Sequence, residues 1–172
     1  MTTTSRETLA QRLRLGPLSP REGTQLCRAL LASIETRPAA HGAITADTIV
    51  LEQGRAALLP SGTPPPAASS EADLYAIAGV LYHSVTGREW VAGTDPAAAD
   101  WSGVPRPLRR VLTRALSPIP GRRWRNAAAF QRALWVPRPS HQIWPAVVVI
   151  ILGAAIILAA VLCKPLGLCW ER

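Results

Sequence analysis

The most informative part of the sequence is DLYAIAGVLYHSVTG, residues 73–87. Its apolar side chains recur at the spacing of one helix face; they are Leu74, Ile77, Ala78, Leu81 and Val85. Ser70, with Asp73 three residues later, forms a capping pair before this pattern, and Gly87 is a typical residue for ending a helix. The stretch therefore predicts a helix that is packed into a core.

Helix and strand signals also lie before this stretch. Residues 19–22 read Ser-Pro-Arg-Glu, which places an N-cap, a first-turn proline and a capping glutamate in order. The apolar stripe that follows stops at Pro38 and predicts a long amphipathic helix. Residues 48–51 and 56–59 are short β-compatible runs, and the residues between them predict a hairpin.

Two more helices are predicted after it. The apolar residues within 108–116 recur on one helix face, which closes at Ser117 and Pro118. Asn126 is a typical N-cap for a last helix that runs to Leu134. The fold class is therefore mainly α, with one short β-hairpin.

Residues 144–163 contain no charged side chain and no Asn, Gln, Ser or Thr. A helix of this length spans about 30 Å, which is the thickness of the hydrocarbon core of a bilayer. The run predicts a single transmembrane helix. The chain then divides into a domain at 1–135, a proline-containing linker at 136–143, the span at 144–163 and a tail at 164–172.

The formal net charge is +8, from 18 arginines and one lysine against 11 acidic residues. Several arginines precede the predicted span, whereas only Lys164 and Arg172 follow it; the preceding ones are Arg122, Arg123, Arg125, Arg132 and Arg138. This bias predicts a cytoplasmic N-terminal domain and a tail outside the cell membrane. Aromatic residues do not alternate with arginines before residue 88, which argues against a nucleic-acid partner.

The cysteines and histidines do not have the spacing of a zinc site, and no metal or cofactor is predicted. Cys27 lies within an apolar helix pattern, where we expect a small buried hydrophobic residue. Cys163 and Cys169 would oxidise only in an oxidising compartment. Ala155 and Ala159 form a small-residue stripe on which two spans could associate as a homodimer, although alanine is common in any span.

Several of these segments together resemble the C-terminal lobe of bacterial Hanks-type Ser/Thr protein kinases. Residues 73–87 are similar to the buried helix of that family, which typically reads D-I-Y-S-L-G-V-V-L-Y-E-L-L-T-G. Residues 8–22 look like the short helix after the kinase hinge and the start of the long helix that follows. Residues 104–134 are like the last two helices. The resemblance covers about residues 8–135 and implies a kinase-like helical domain.

The same resemblance aligns HGAITADT, residues 41–48, with the catalytic loop H-R-D-L-K-P-E-N. Ala43 then replaces the base aspartate, Thr45 the phosphate-contacting lysine and Thr48 the metal-binding asparagine. Pro60 stands where the magnesium-binding aspartate of D-F-G belongs. No segment before residue 8 is long enough for a nucleotide-binding lobe. We therefore expect no kinase activity.

Structural roles are also implied by the resemblance. Asp73 matches the aspartate that accepts hydrogen bonds from the catalytic-loop backbone, although an ordinary carboxylate near a helix N-terminus is the competing interpretation. His41 is the remnant of the loop histidine, with a packing role. Arg123 matches the late arginine of the family, and its usual glutamate partner is missing, so we expect Arg123 to have no buried partner.

The sequence thus predicts a membrane-anchored, catalytically inactive, kinase-like scaffold that binds another protein. That partner is expected to be a membrane protein or a kinase-like chain, and the lipid bilayer is the second partner. Besides a gene remnant with no selected role, two alternative functions stay open at this point. One is half of a split Ser/Thr kinase that another chain completes. The other is a basic membrane-surface or nucleic-acid binder, which requires the arginines to lie on one face.

Overall fold

The computed structural model describes residues 7–52, 55–60 and 68–134, and this part of the chain is mainly helical. The helices are α1 (Leu9–Leu13), α2 (Pro20–Glu35), α3 (Ser70–Thr86), α4 (Arg106–Ala115) and α5 (Ala127–Ala133), with a 3-10 turn at Pro120–Arg122. The strands are β1 (Glu7–Thr8), β2 (Ile49–Glu52) and β3 (Arg55–Leu58). The mainly α fold class is confirmed.

Helix α2 begins at the predicted capping box. The Ser19 hydroxyl accepts from the Glu22 backbone N–H at 3.3 Å, and the Glu22 carboxylate accepts from the Ser19 N–H at 2.9 Å. The hydroxyl and backbone donors of Ser19 hold the pKa of Glu22 below its usual value. Pro20 occupies the first turn, where its missing N–H has no helical partner to lose.

Helix α3 forms the centre of the core, and the predicted apolar face is buried. The buried apolar residues on it include Leu74, Ile77, Ala78, Leu81 and Val85. Gly87 ends the helix in the left-handed conformation with φ of 71°, as the sequence predicted. The predicted cap was wrong by one residue, because the Ser69 hydroxyl, and not that of Ser70, accepts from the Ala72 N–H.

The predicted hairpin is present, but it belongs to a three-stranded sheet with the order β1-β2-β3. Strand β1 pairs antiparallel with β2, with Glu7 opposite Leu51 and Thr8 opposite Val50. The prediction of a hairpin alone was therefore wrong. Two residues are too few to produce the alternating pattern by which a strand is recognised in sequence.

Helices α2 and α3 approach each other closely at Gly23. A Cβ atom at this position would lie 2.6 Å from Cγ1 of Val85 on α3, so glycine is required by the packing. On the next turn of α2, Cys27 is fully buried, and desolvation raises the pKa of its thiol. This burial agrees with the small hydrophobic role predicted for Cys27.

The last two predicted helices are also present, and α5 begins at its predicted cap. On α4, Leu108, Leu112 and Ala115 are buried. The side-chain oxygen of Asn126 accepts from the Ala129 N–H at 2.8 Å and caps α5. Phe130 of α5 is fully buried, which fixes this helix against the core.

The predicted linker, transmembrane helix and tail, residues 136–172, lie outside the described residues. Within the described ranges no helix is long and apolar enough to cross a membrane. All described residues belong to one compact unit, Met1–Val136. The domain boundaries proposed from the sequence therefore remain predictions.

We predict opposite effects for two glycine-to-alanine changes inside helices. Gly23→Ala should lower the free energy of unfolding by about 1–3 kcal/mol, because the new methyl group overlaps the Val85 side chain. Gly79→Ala should raise it by up to about 1 kcal/mol, because its methyl group would meet Trp90 at an ordinary 3.5 Å and alanine favours a helix. Thermal unfolding of both variants tests the α2–α3 contact. A Gly23→Ala protein as stable as the wild type would contradict it.

Candidate functional site

The candidate site is built around the carboxylate of Asp73 in the first turn of α3. One oxygen accepts from the His41 backbone N–H at 2.6 Å, and the other accepts from the Gly42 N–H at 2.8 Å. The residue is 3% exposed. Charge-assisted bonds from two backbone donors and the adjacent helix N-terminus together compensate a buried carboxylate. This is the contact that the resemblance implied for Asp73.

The His41 imidazole makes a second connection from the same loop. Its Nε2 lies 2.8 Å from the Leu59 carbonyl oxygen, and its Nδ1 lies 3.4 Å from the Ala43 nitrogen. A carbonyl oxygen only accepts, so Nε2 carries a proton and Nδ1 faces the Ala43 N–H. The ring is buried. His41 thus ties the loop to the end of β3, which is the packing role proposed from the sequence.

Thr48 closes the loop from within, and sequence reasoning did not identify this role. Its hydroxyl lies 2.8 Å from the Ala43 carbonyl oxygen, to which it donates. It also accepts from the Thr45 N–H at 2.9 Å. The position that the resemblance assigns to a metal-binding asparagine therefore carries a side chain engaged with its own loop. The sequence spacing of Ala43 and Thr48 does not predict this hydrogen bond, because an alanine followed by a threonine five residues later is not a recognised motif.

The remaining aligned positions are exposed. Ala43 and Thr45 lie on the outside of the loop, and Pro60 is exposed after Leu59. The Leu59 N–H donates to the Thr48 carbonyl at 2.8 Å, which brings the residue before Pro60 beside the loop. The structure thus brings His41, Thr48 and the Leu59–Pro60 junction to one place.

A pocket of about 240 Å³ lies next to the loop. It is lined by Gly42, Ala43, Ile44, Thr45, Ala68, Ala72, Asp73 and Ala76. Most of these side chains are apolar and small, and both carboxylate oxygens of Asp73 are already hydrogen-bonded to the loop. Among the described residues, no group of three or more His, Cys, Asp or Glu side chains could hold a metal ion.

Arg123 has two partners, and both of them are half-buried. Its guanidinium lies over the Tyr75 ring, 4.1 Å from the centroid, and its Nε donates to the Ser117 carbonyl at 2.8 Å. The guanidinium is planar, so it can stack on an aromatic face and donate in its own plane at the same time. In the ranges 7–52, 55–60 and 68–134, no carboxylate pairs with it. A ring and a carbonyl therefore hold this arginine.

We predict that Asp73→Ala destabilises the domain by about 2–5 kcal/mol, because two backbone donors lose their acceptor at a buried position. Asp95→Ala is the matched control: the Asp95 carboxylate also accepts a backbone N–H, from Ala97 at 2.9 Å, but it is exposed. That change should alter stability by about 0.5 kcal/mol or less.

Thermal unfolding and amide hydrogen exchange measure both effects. The His41 and Gly42 amides should exchange faster in Asp73→Ala and at the wild-type rate in Asp95→Ala. Equal melting temperatures for the two variants would show that Asp73 acts only as a surface charge near the helix end.

Kinase domains are among the solved structures similar to this chain. The PknI kinase domain of Mycobacterium tuberculosis matches it with a TM-score of 0.61 and 22% identity, over 76% of this chain and 62% of that chain. A double-mutant form of the same domain matches with a TM-score of 0.60 and 21% identity, over the same shares. The chain thus spans about three-fifths of the kinase domains that it matches. No family model matches it, and no curated protein does. The protein therefore has a kinase-like fold, as the resemblance over residues 8–135 predicted.

Proposed function

We propose that this protein is a membrane-anchored, kinase-like module that binds another protein and does not transfer phosphate. The observation that carries the proposal is the loop at residues 41–48. Asp73 holds the backbone of this loop in place. The side chains of the loop offer only a methyl group at Ala43 and, at Thr48, a hydroxyl that is hydrogen-bonded within the loop.

Phosphoryl transfer depends on positioning and on charge neutralisation. It needs a carboxylate near the attacking hydroxyl, oxygen ligands for magnesium and cations on the phosphates. The resemblance assigns these roles to Ala43, Thr45, Thr48 and Pro60. None of these side chains carries a charge, so the loop lacks the groups on which the reaction depends.

A loop whose backbone is well supported, but whose side chains lack the groups for phosphoryl transfer, is suited to bind a partner protein with its exposed surface. Ala43 and Thr45 are exposed on it and border the pocket of about 240 Å³. The small apolar lining of this pocket can accept a side chain from a partner protein. A membrane protein or another kinase-like chain is the expected partner, because the module itself is proposed to be anchored.

The anchor is residues 144–163, whose length and lack of charge suit one pass through a bilayer. The arginines before this segment favour a cytoplasmic domain and an external C-terminus in the cell membrane. Ala155 and Ala159 offer a face for a homodimer of spans. Anchoring raises the local concentration of the domain at the membrane, where it would meet a membrane-bound partner.

We predict that magnesium-ATP does not stabilise the protein. A ligand at 100 times its dissociation constant stabilises a fold by about 2.7 kcal/mol, which a thermal-shift titration detects readily. The expected result is an unchanged melting temperature, because neither Thr48 nor Pro60 supplies a ligand for the metal. A kinase domain with an intact catalytic loop serves as the positive control. A saturable shift with this chain would contradict the inactive assignment.

We predict that the loop itself contacts the partner. A photo-crosslinking amino acid at Ala43 should form an adduct with a discrete protein in the native membrane. The same amino acid at Ala97, an exposed alanine in the loop before α4, should not. Immunoblotting of the tagged chain compares the two sites. Identical adducts from both positions, or none from either, would argue against a protein-binding role for residues 41–48.

A further inference from the structure

We propose that the exposed arginine side of α4 docks on the surface of an anionic lipid bilayer. We call this side the arginine face and define it as Arg106, Arg109, Arg110 and Arg114. The proposal rests on the membrane anchoring proposed above and assigns a second membrane contact to the same domain.

The charges of the domain are separated along the chain. Residues 1–100 contain eight arginines and ten acidic residues, and they are close to neutral. Residues 101–134 contain eight arginines and no Asp or Glu. The basic excess of the domain therefore comes from the segment that includes α4 and α5 and lies next to the predicted span.

Within α4, helical geometry places the arginines opposite the core. Leu108, Leu112 and Ala115 are buried, whereas all four members of the arginine face are exposed. At about 100° per residue, these four positions occupy an arc of about 140° on the other side of the helix. The four arginines therefore form one basic ridge on the exposed side of α4.

The arginine face carries electrostatic strain. Arg106 and Arg110, and Arg110 and Arg114, stand four residues apart, and like charges at this spacing repel. Arg106 also lies at the start of the helix, where the dipole disfavours a positive charge. Across the described part of the chain, no carboxylate forms an ion pair with any of these four arginines. An external anionic surface would relieve this repulsion.

Two members of the face are held in place by aromatic rings. The Arg109 guanidinium lies 5.7 Å from the Trp101 ring centroid, and that of Arg114 lies 4.0 Å from the Trp124 centroid. Side chains that are already restricted lose less conformational freedom when they bind. The ridge is thus partly arranged for docking before it meets a surface.

The observations favour lipid over nucleic acid. A single-stranded nucleic acid would require exposed rings for stacking. Trp101 is buried, and the half-buried Trp124 already stacks on Phe130 and Arg114. The ten residue steps from Leu134 to the start of the predicted span at residue 144 reach at most about 36 Å when fully extended. A bilayer would therefore always lie within reach of the domain. Clusters of four or more arginines beside a span are typical of sites for anionic lipid.

The test uses the full chain in nanodiscs of phosphatidylcholine alone or of phosphatidylcholine and phosphatidylglycerol at three to one. Phenylglyoxal modifies accessible arginines, and mass spectrometry gives the rate at each site. Each docked arginine favours the bound state about fivefold, so Arg106 and Arg110 should react at least about fivefold more slowly in the anionic discs. Arg14 and Arg21, which are exposed on other elements, should react equally in both. Salt at 1 M should remove the protection.

A matched pair of variants tests the face itself. Arg106→Glu with Arg110→Glu should abolish the protection of Arg109 in anionic discs; neither changed residue stacks on a ring. Arg14→Glu with Arg21→Glu makes the same change in net charge elsewhere and should leave the protection intact. Loss of protection in both variants would show a response to net charge alone and would overturn the proposal.

Resistance of the chain to carbonate extraction is measured first. A chain that is extracted would overturn the anchoring and the docking together. An inserted chain with equal arginine rates in both lipids would overturn the docking alone. In a separate arm, glycerol phosphate or duplex DNA is added to neutral discs, at a phosphate concentration equal to that of the anionic lipid in the anionic discs. The rates of arginine modification are then measured again. If either protected the face as well as the anionic disc does, the proposal would be overturned in favour of a free-phosphate or nucleic-acid site.

Discussion

The structure depends on one buried carboxylate that receives two backbone N–H groups. Burying the Asp73 carboxylate without partners would be strongly unfavourable, and the His41 and Gly42 donors compensate it. The contact joins the central helix α3 to a loop more than thirty positions earlier in the chain. His41 and Thr48 then carry this connection to the end of β3. These polar contacts add to the apolar packing that places Ile49 and Leu58 of the sheet in one core with the helices.

These contacts also show that the support of the loop at residues 41–48 comes from its backbone. The bonds to Asp73 come from backbone N–H groups, which are the same whatever side chain a residue carries. The side chains of Ala43 and Thr45 therefore take no part in the bonds to Asp73. The Thr48 hydroxyl adds two hydrogen bonds within the loop, to the Thr45 N–H and the Ala43 carbonyl. Support and chemistry are separable because they use different atoms.

The sequence predicted the parts of the fold that local rules determine. Capping residues and apolar periodicity located α2, α3, α4 and α5, because these signals arise within a few turns of one helix. It missed β1, which has only two residues and depends on a partner strand distant in sequence. Local patterns also do not indicate the contacts of Arg123, because Tyr75 and Ser117 lie in different parts of the fold. The site residues were recognised by family resemblance, but the role of Thr48 depends on distances that only the folded loop defines.

The burial of Cys27 has a practical consequence for work on the rest of the chain. A thiol reacts as its thiolate, and desolvation disfavours that form at this fully buried position. Thiol labelling of the folded protein would therefore arise from Cys163 or Cys169, the two remaining cysteines. Cys27 therefore does not need to be mutated before labelling. A thiol-reactive fluorophore can be directed to the C-terminal region of the wild-type chain.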